Sequence, residues 1–474
     1  MDKGMATSQT DLLILGGGSG GYVAAIKAAQ SGLDVVLVEE DKLGGTCLHR
    51  GCIPTKALLR SAEVFSQSKA ASDFGIDLQG ELSVDFSKVQ DRKQSVIDQL
   101  HAGVQALMKK NKIRVINARG VIMGPSIFSP VSGAVIVTPE GEDEEIIVPK
   151  KLLIATGSRP RALKTIDFDH EYILSSDDIL QLETLPNKLA IIGGGVVGVE
   201  FASLMNSFGV EVTLFEYAER LLLTESKEVA KAFTKEISQR GIKVQTSAEV
   251  QDAQVVDGEV EISVKGEDQA QVFDKVLVAV GRQANVDNIG LNNTSIKFDE
   301  KGIQVNQFFQ TAESHIYAIG DCIPSPQLAH VAMKEGEIAV GHLLEEEVWP
   351  LNYQEVPRCV YAQPEIASVG YHEDNVPEDI KAKKSQFSFV GNGKAIIHDG
   401  GKGFVNVLRD EDTDDLIGVS MIGGDVTQMI SEASTAMYLN ATPLEIGEAI
   451  HAHPTMSEAL QEASLDSYHL AIHK

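Results

Sequence analysis

Cysteine is scarce: four in 474 residues are too few to staple a fold and fit a reducing cytosol. No run of about 18 uncharged apolar residues occurs, so no membrane helix is expected. Basic residues are outnumbered, 41 against 68 acidic, and the formal net charge of −27 argues against nucleic-acid binding. Residues 1–10 hold no apolar signal core, which points away from export and toward a cytoplasmic protein. Residues 1–4, ahead of a second methionine, read equally as native chain or as an expression remnant. Low-complexity linkers are missing too, and the acidic stretch 140–145 reads as a surface hairpin turn. The length still exceeds the usual single-domain limit, so two to four domains with substantial cores are expected.

What is present is a duplication. Leu12-Leu13-Ile14-Leu15-Gly16-Gly17-Gly18-Ser19-Gly20-Gly21 reappears as Leu189-Ala190-Ile191-Ile192-Gly193-Gly194-Gly195-Val196-Val197-Gly198. A helical run, a glycine (Gly32, Gly209) and a strand ending in an acid (Glu39, Glu216) follow each copy. One offset relates the first glycines, the middle glycines and the acids. This spells strand–turn–helix–strand. Gly16 and Gly193 allow the tight turn, Gly18 and Gly195 let backbone approach a pyrophosphate, and Gly21 and Gly198 let the helix pack on its strand. The helix N-terminus then faces the diphosphate, and the acid accepts from a ribose 2′-hydroxyl. A carboxylate there repels a 2′-phosphate, so Glu216 favours NAD over NADP. Arg220 is expected to open the next helix as a surface charge.

The second feature is Gly44-Gly45-Thr46-Cys47-Leu48-His49-Arg50-Gly51-Cys52-Ile53-Pro54-Thr55-Lys56. Cα atoms five apart in a helix lie roughly 8–9 Å apart, while a disulfide usually needs less than about 7 Å. A Cys47–Cys52 bond therefore requires a bent or broken helix, which Gly51 and Pro54 make easy. Such a bond would be exchangeable rather than structural. On spacing alone, two reduced core cysteines or half a metal site stay open beside redox chemistry. Zinc usually wants a second ligand pair, and the other cysteines, Cys322 and Cys359, stand alone, so no metal site is expected.

With the duplication, this segment resembles the redox site of the flavoprotein disulfide reductases, the class I pyridine nucleotide-disulfide oxidoreductases, and within them the branch that reoxidises dihydrolipoyl groups. The resemblance covers essentially the whole chain. It implies an α/β fold with two Rossmann-like FAD/NAD(P)-binding domains and an α+β C-terminal dimerisation domain. The implied boundaries are 1–150 for the first part of the FAD domain, 151–281 for the NAD domain, 282–350 for a central domain completing the FAD site, and 351–474 for the dimer interface. In the last, strands at 403–409 and 416–423 form a hairpin across the acidic turn 410–415, with helical patterns at about 425–440 and 455–468.

The resemblance also assigns the cofactors and their contacts. The first glycine unit takes FAD and the second NAD. Gly45, Thr46 and Lys56 lie beside the flavin. Thr156, Gly157 and Ser158 end a buried strand that passes close to it. Gly320 and Asp321 end another, Asp321 meeting ribityl hydroxyls, and Gln327, Leu328, Ala329 and His330 open a helix beside the ring. Glu200, Gly120, Val250 and Gly281 match as less specific nucleotide contacts.

Near the far end, His451-Ala452-His453-Pro454-Thr455-Met456-Ser457-Glu458 resembles the family's His-Pro-Thr-x-x-Glu signature. Thr455 or Ser457 can start a helix with Glu458 in its first turn. A buried Glu458 would fix the tautomer of His453 and stabilise its protonated form, and His453 rather than His451 is the implied base. A dithiol is only a few per cent thiolate at neutral pH, and the thiolate is the attacking species, so a base is needed. The resemblance makes Cys47 the exchange sulfur and Cys52 the flavin-side sulfur. It implies a homodimer whose partner is the lipoyl-bearing acyltransferase component of a 2-oxoacid dehydrogenase complex. The Cys-Leu-His-Arg-Gly-Cys form hints at a branched-chain complex. His49-Arg50, Ser19, Cys322 and Gln283-Ala284 depart from the commoner pattern without removing a required group. Rival readings are glutathione reductase, which Glu216 disfavours, mercuric reductase, whose C-terminal cysteine pair this tail lacks, and a flavin-binding scaffold, which needs none of the four catalytic residues.

Overall fold

The computed structural model describes residues 6–125, 132–141 and 143–474. The expectation about residues 1–4 lies outside the described residues. Two compact units form: one from Met1–Ala57, Ser87–Arg161 and Gly281–Leu351, the other from Leu58–Phe86, Ala162–Val280 and Asn352–Lys474.

In the first unit Leu12, Leu13, Ile14 and Leu15 are buried on both faces of the strand Ala6–Leu15, the pattern of a parallel sheet with helices on each side. Val35–Glu39 and Glu145–Ile154 flank it in parallel, Arg114–Asn117 lies beyond Val35–Glu39, and Val135–Val137 and Gly120–Ile122 extend the other side antiparallel. The antiparallel pairing of Val135–Val137 with Glu145–Ile154 makes the acidic stretch a hairpin connection, residue 142 of which lies outside the described residues. Two expected boundaries shift. Glu145–Ile154 runs through position 150 as one strand because Leu152, Leu153 and Ile154 are needed in this core. The expected central domain 282–350 has no core of its own: Ile316–Ala318 pairs with Glu145–Ile154, and Ile338, Ala339 and Val340 join the same hydrophobic cluster.

The second unit repeats the motif. Lys188–Ile192 lies between Glu211–Phe215 and Lys275–Val278, with Lys243–Gln245 and Ile173–Leu174 at the edges, all parallel. The meander Val250–Val256, Glu259–Val264 and Gln271–Phe273 packs against it. Residues 58–86 belong here because Phe65 and Phe86 close on Phe208, with ring centroids 6.3 and 5.9 Å away. The unit's other sheet is antiparallel, in the order Arg358–Val360, Glu365–Gly370, Leu416–Gly423, Gly403–Asp410, Ala382–Ser388. The expected hairpin is its centre. Val405, Val407, Val419 and Met421 form a core with Val426, Ile430 and Ala433 of the helix Val426–Tyr438 and Ala459, Leu460 and Ala463 of Glu458–Asp466. No described helix is long and apolar enough to cross a membrane.

Candidate active site

The two glycine loops have the same geometry. Gly16 and Gly193 take φ of +103° and +115°, and a Cβ on either would fall 2.2–2.3 Å from a carbonyl oxygen of the neighbouring strand's end, Ala155 or Ala279. A Cβ on Gly21 or Gly198 would stand 1.9 Å from the carbonyl oxygen of Gly16 or Gly193. By contrast, a Cβ on Gly18 would meet nothing closer than 3.9 Å, and one on Gly195 nothing within 4 Å. The outer glycines are closed by packing and the middle ones are open. The helices that follow, Ser19–Gln30 and Val196–Ser207, have no side-chain cap, whereas Lys227–Gln239 is capped by the Ser226 hydroxyl on the Val229 amide. Uncapped N–H groups over an open glycine form a seat for a diphosphate, so these residues fit a dinucleotide at each loop.

The acids correspond as well. Glu39 accepts from the amides of Gly17 at 2.6 Å and Asp41 at 2.8 Å, and Glu216 from Gly194 at 2.6 Å and Ala218 at 2.7 Å. Each carboxylate is anchored to its loop and keeps lone pairs for ribose hydroxyls. Burial lifts the Glu39 carboxyl above its ordinary range, the two amides pulling it back only in part. Arg220 differs from the expectation. It lies in an irregular stretch seven residues before the next helix, and its guanidinium donates to the carbonyls of Leu221, Leu222 and Leu223, at 2.9 Å for Leu222. A side chain committed to its own loop is not a counter-charge for a 2′-phosphate.

The cysteine helix is broken, as the spacing requires. Gly45–Arg50 ends at Gly51, and Cys52–Lys69 begins at once. A Cβ on Gly51 would sit 3.1 Å from the Thr46 oxygen, so a larger residue would push the turns carrying Cys47 and Cys52 apart. The segment is fastened to the first glycine loop: the Gly44 amide donates to the Gly17 oxygen at 2.8 Å, and a Cβ on Gly45 would lie 2.7 Å from the Gly18 Cα. Both cysteines are half-buried and stand as reduced thiols. The Cys52 sulfur, to which Cys47 is hydrogen-bonded, and burial push the Cys47 thiol far above its ordinary value; the Ser19 hydroxyl and the Lys56 charge act the other way. Cys52 is the first residue of an 18-residue helix, where the N-terminal end of the helix dipole favours a thiolate.

The remaining flavin-side candidates of the first unit form a network. Ser158 donates to Asp321 at 2.6 Å, and Arg282 donates to the Ser158 hydroxyl and carbonyl at 2.7 and 2.8 Å. Thr156 donates to the Asn285 carbonyl at 2.7 Å. Ile316–Ala318 stops short of Asp321, which sits in a single 3-10 turn, Gly320–Cys322. Buried Glu335 accepts from the Gly320 amide at 2.6 Å. The helix Ala329–Leu343 begins with Leu328 at its uncapped N-terminal boundary, so Ala329 and His330 open it and Gln327 precedes it. Gly120 is a packing glycine, since its Cβ would lie 2.6 Å from Leu15.

In the second unit Glu200 is buried on Val196–Ser207 and accepts from the Tyr361 amide at 2.9 Å. Val250 begins a meander strand, whereas Gly281, at φ +113°, belongs to the first unit and faces open space. His453 Nδ1 is 2.9 Å from Glu458 Oε1, and Glu458 Oε2 accepts from the Thr455 amide at 2.8 Å. A bond to a carboxylate places the proton on Nδ1 and leaves the Nε2 lone pair for a substrate proton. The His453 side chain is 79% exposed and that of Glu458 26%, so the expected buried carboxylate is a partly open one held by hydrogen bonds. Burial raises the Glu458 carboxyl, but the Thr455 amide and His453 outweigh it and hold it below its ordinary range. His451 is tied at both nitrogens, to Glu432 at 2.7 Å and to the Ala449 carbonyl at 2.9 Å.

The model of the pyridine nucleotide-disulphide oxidoreductases matches residues 10–336, and that of the family's dimerisation domain matches 356–464. The chain belongs to this family. It is 50% identical over 99% of its length to the whole of a dihydrolipoyl dehydrogenase of Bacillus subtilis (strain 168), and 43% identical over 98% to a second from that organism, 99% of which is covered. The mitochondrial dihydrolipoyl dehydrogenase of Pisum sativum is 35% identical over 98% of this chain and 93% of its own. Among solved structures, LpdA of Mycobacterium tuberculosis superposes with a TM-score of 0.90 at 25% identity, covering 97% of this chain and 99% of that one. The flavoprotein disulfide reductase RclA of Escherichia coli shares the fold, with a TM-score of 0.84 at 24% identity over 96% of this chain and 99% of its own.

For a pyridine nucleotide-disulphide oxidoreductase, several contacts here escaped the sequence reading. Ser19 was visible as a departure, but its influence on the Cys47 thiol was not. Arg282, Asn285 and Glu335 act on Ser158, Thr156 and Gly320 from more than a dozen residues away, and no local pattern announces them. Cys322 is fully buried, donates to the Ile319 carbonyl at 3.1 Å and is pushed up to about 11 by burial, so it is an inert thiol. No group of three or more metal-capable side chains occurs among the described residues.

Proposed function

We propose that this oxidoreductase is a dihydrolipoyl dehydrogenase, oxidising the dihydrolipoyl groups of a 2-oxoacid dehydrogenase complex and reducing NAD⁺. The observation that carries the reading is the Cys47–Cys52 pair at a helix break, fastened to a dinucleotide loop, in a chain that also holds a carboxylate-oriented histidine. In the oxidised pair, one substrate sulfur attacks Cys47, forming a mixed disulfide as the Cys47–Cys52 bond breaks and Cys52 leaves as a thiolate. His453 Nε2 takes the proton of the attacking thiol, Glu458 holding the imidazolium through Nδ1. The second substrate sulfur then displaces Cys47, and the product leaves as a cyclic disulfide. Assignment of Cys52 as the leaving sulfur is supported by its helix N-terminus. FAD, when bound, carries the electron pair from the reduced cysteines to NAD⁺. Gly16, Gly18, Gly21 and Glu39 would hold FAD, with Thr156 to Ser158 and Asp321 along the same unit, and Gly193, Gly195, Gly198, Glu200 and Glu216 would hold NAD.

The reading includes a homodimer, supported by the dimerisation domain and by exposed Tyr438, Leu439, Ile450 and Ile472. It also includes a cytoplasmic setting, the compartment in which a cysteine pair is expected to be catalytic rather than structural. The Cys-Leu-His-Arg-Gly-Cys form favours a branched-chain complex as partner. NAD⁺ reduction with dihydrolipoamide, set against glutathione disulfide reduction with NADPH, tests the function: turnover only in the second assay would overturn it.

Two expectations follow for the nucleotide. NAD⁺ should be preferred to NADP⁺ by at least about one to two orders of magnitude in kcat/KM, because a phosphate beside Glu216 costs about 2 kcal/mol or more. Equal use of both would remove Glu216 from that role. Gly198→Ala, whose Cβ collides with the Gly193 carbonyl, should weaken NAD binding by about tenfold or more while the flavin absorbance persists. Equilibrium titration with NADH checks it.

A further inference from the structure

The loop that carries the base is fixed by bonds that converge on Thr455. Its amide donates to Glu458 Oε2 at 2.8 Å, and its hydroxyl donates to the Ala452 carbonyl at 2.8 Å. Its carbonyl accepts from Nδ2 of Asn392 at 3.0 Å, a residue more than sixty positions earlier. Asn392 is 4% exposed and also serves the short helix Gly393–Asp399, where its Oδ1 accepts the Ala395 amide at 2.9 Å. One amide group thus uses its oxygen to cap a helix and its nitrogen to hold the catalytic loop. Asparagine suits the place: aspartate keeps the acceptor but has no donor, and alanine has neither.

We infer that Asn392 is a positioning residue for the His453–Glu458 pair, acting through the Thr455 peptide. Holding the Thr455 carbonyl sets the plane of residues 455–456, and the Thr455 amide in turn aims the carboxylate that orients the imidazole. The inference rests on His453 being the base, but the placement of the pair can be read without turnover. Buried asparagine at a cap is ordinarily a stability device. What separates positioning from stability is that one substitution preserves the cap and removes only the loop bond.

That substitution is Asn392→Asp. Its carboxylate still accepts the Ala395 amide but turns an acceptor toward the Thr455 carbonyl, so the loop should shift while the helix stays. Dihydrolipoamide-dependent NAD⁺ reduction should fall about tenfold in kcat with KM little changed, while NADH-driven reduction of ferricyanide, which bypasses thiol exchange, should be unchanged. In the holoenzyme labelled with [¹⁵N]histidine, the His453 Nδ1 resonance, assigned by its loss in His453→Gln, should move from its position in the unsubstituted protein, because its hydrogen bond to Glu458 depends on where the loop holds that carboxylate. The His451 resonance, whose imidazole belongs to Glu432, should hold still and serves as internal reference. Asn392→Ala, which loses cap and bond together, should lower both stability and kcat. An unchanged His453 Nδ1 resonance and kcat in Asn392→Asp would overturn the inference, as would an equal loss in the ferricyanide reaction. Failure of the unsubstituted protein to oxidise dihydrolipoamide would instead refute the proposed function and leave the His453 Nδ1 resonance as the deciding measurement.

Discussion

A Cys52→Ser chain should purify yellow and reduce NAD⁺ with dihydrolipoamide at least roughly four orders of magnitude more slowly than the unsubstituted protein. Serine at the first position of the helix Cys52–Lys69 is sterically conservative and suits a helix start, so the fold and the flavin seat should survive. The chemistry should not, because an oxygen cannot form the exchangeable bond with Cys47. A substrate sulfur then has no oxidised partner to attack, and its electron pair has no route onward. Two readings are needed together. The flavin spectrum establishes that the protein is loaded, and NADH-driven ferricyanide reduction establishes that the nucleotide half still turns over. Substantial lipoamide-dependent turnover by a loaded variant would remove Cys52 from the path.

Legibility of this chain depended on how far apart the cooperating residues lie. Gly16, Gly21, Gly193 and Gly198 were readable because a side chain at each would collide with backbone a few residues or one strand away, so the glycine is dictated locally. Gly51 was readable for a similar reason: a bond between cysteines five apart would demand a break, and the break stands at the glycine between them. A run such as residues 145–154 announces a buried strand but not its sheet, which is settled by pairing with residues 6–15. Residues 58–86 gave no sign of their unit because Phe65 and Phe86 are ordinary until Phe208 meets them. The same distance hid Arg282 behind Ser158 and Asn392 behind Thr455. Residues that touch reacting atoms leave motifs, since chemistry restricts their type. Residues that hold those in place are chosen by folded geometry and leave few.

A mixture of Cys47→Ser and His453→Gln chains should regain activity that neither chain has alone. Cys47 and Cys52 lie in the first unit and His453 and Glu458 in the second, some 400 positions on. Ile450, three residues before His453, is fully exposed, as are much of Tyr438 and Leu439. Burying this apolar surface against a second copy would bring the histidine to that copy, and the relatives' dimerisation domain spans the same residues. If each site combines the cysteines of one chain with the histidine of the other, the heterodimer contains one site with both groups intact and one with both lost. Activity should then approach about half of the unsubstituted value per heterodimer, rising from a background lowered by orders of magnitude in each homodimer. If histidine and cysteines act within one chain, every site in the mixture stays broken. Co-expression with two affinity tags isolates the heterodimer, and flavin content normalises the rate. Absence of recovered turnover in verified, flavin-loaded heterodimers would refute a site shared between subunits.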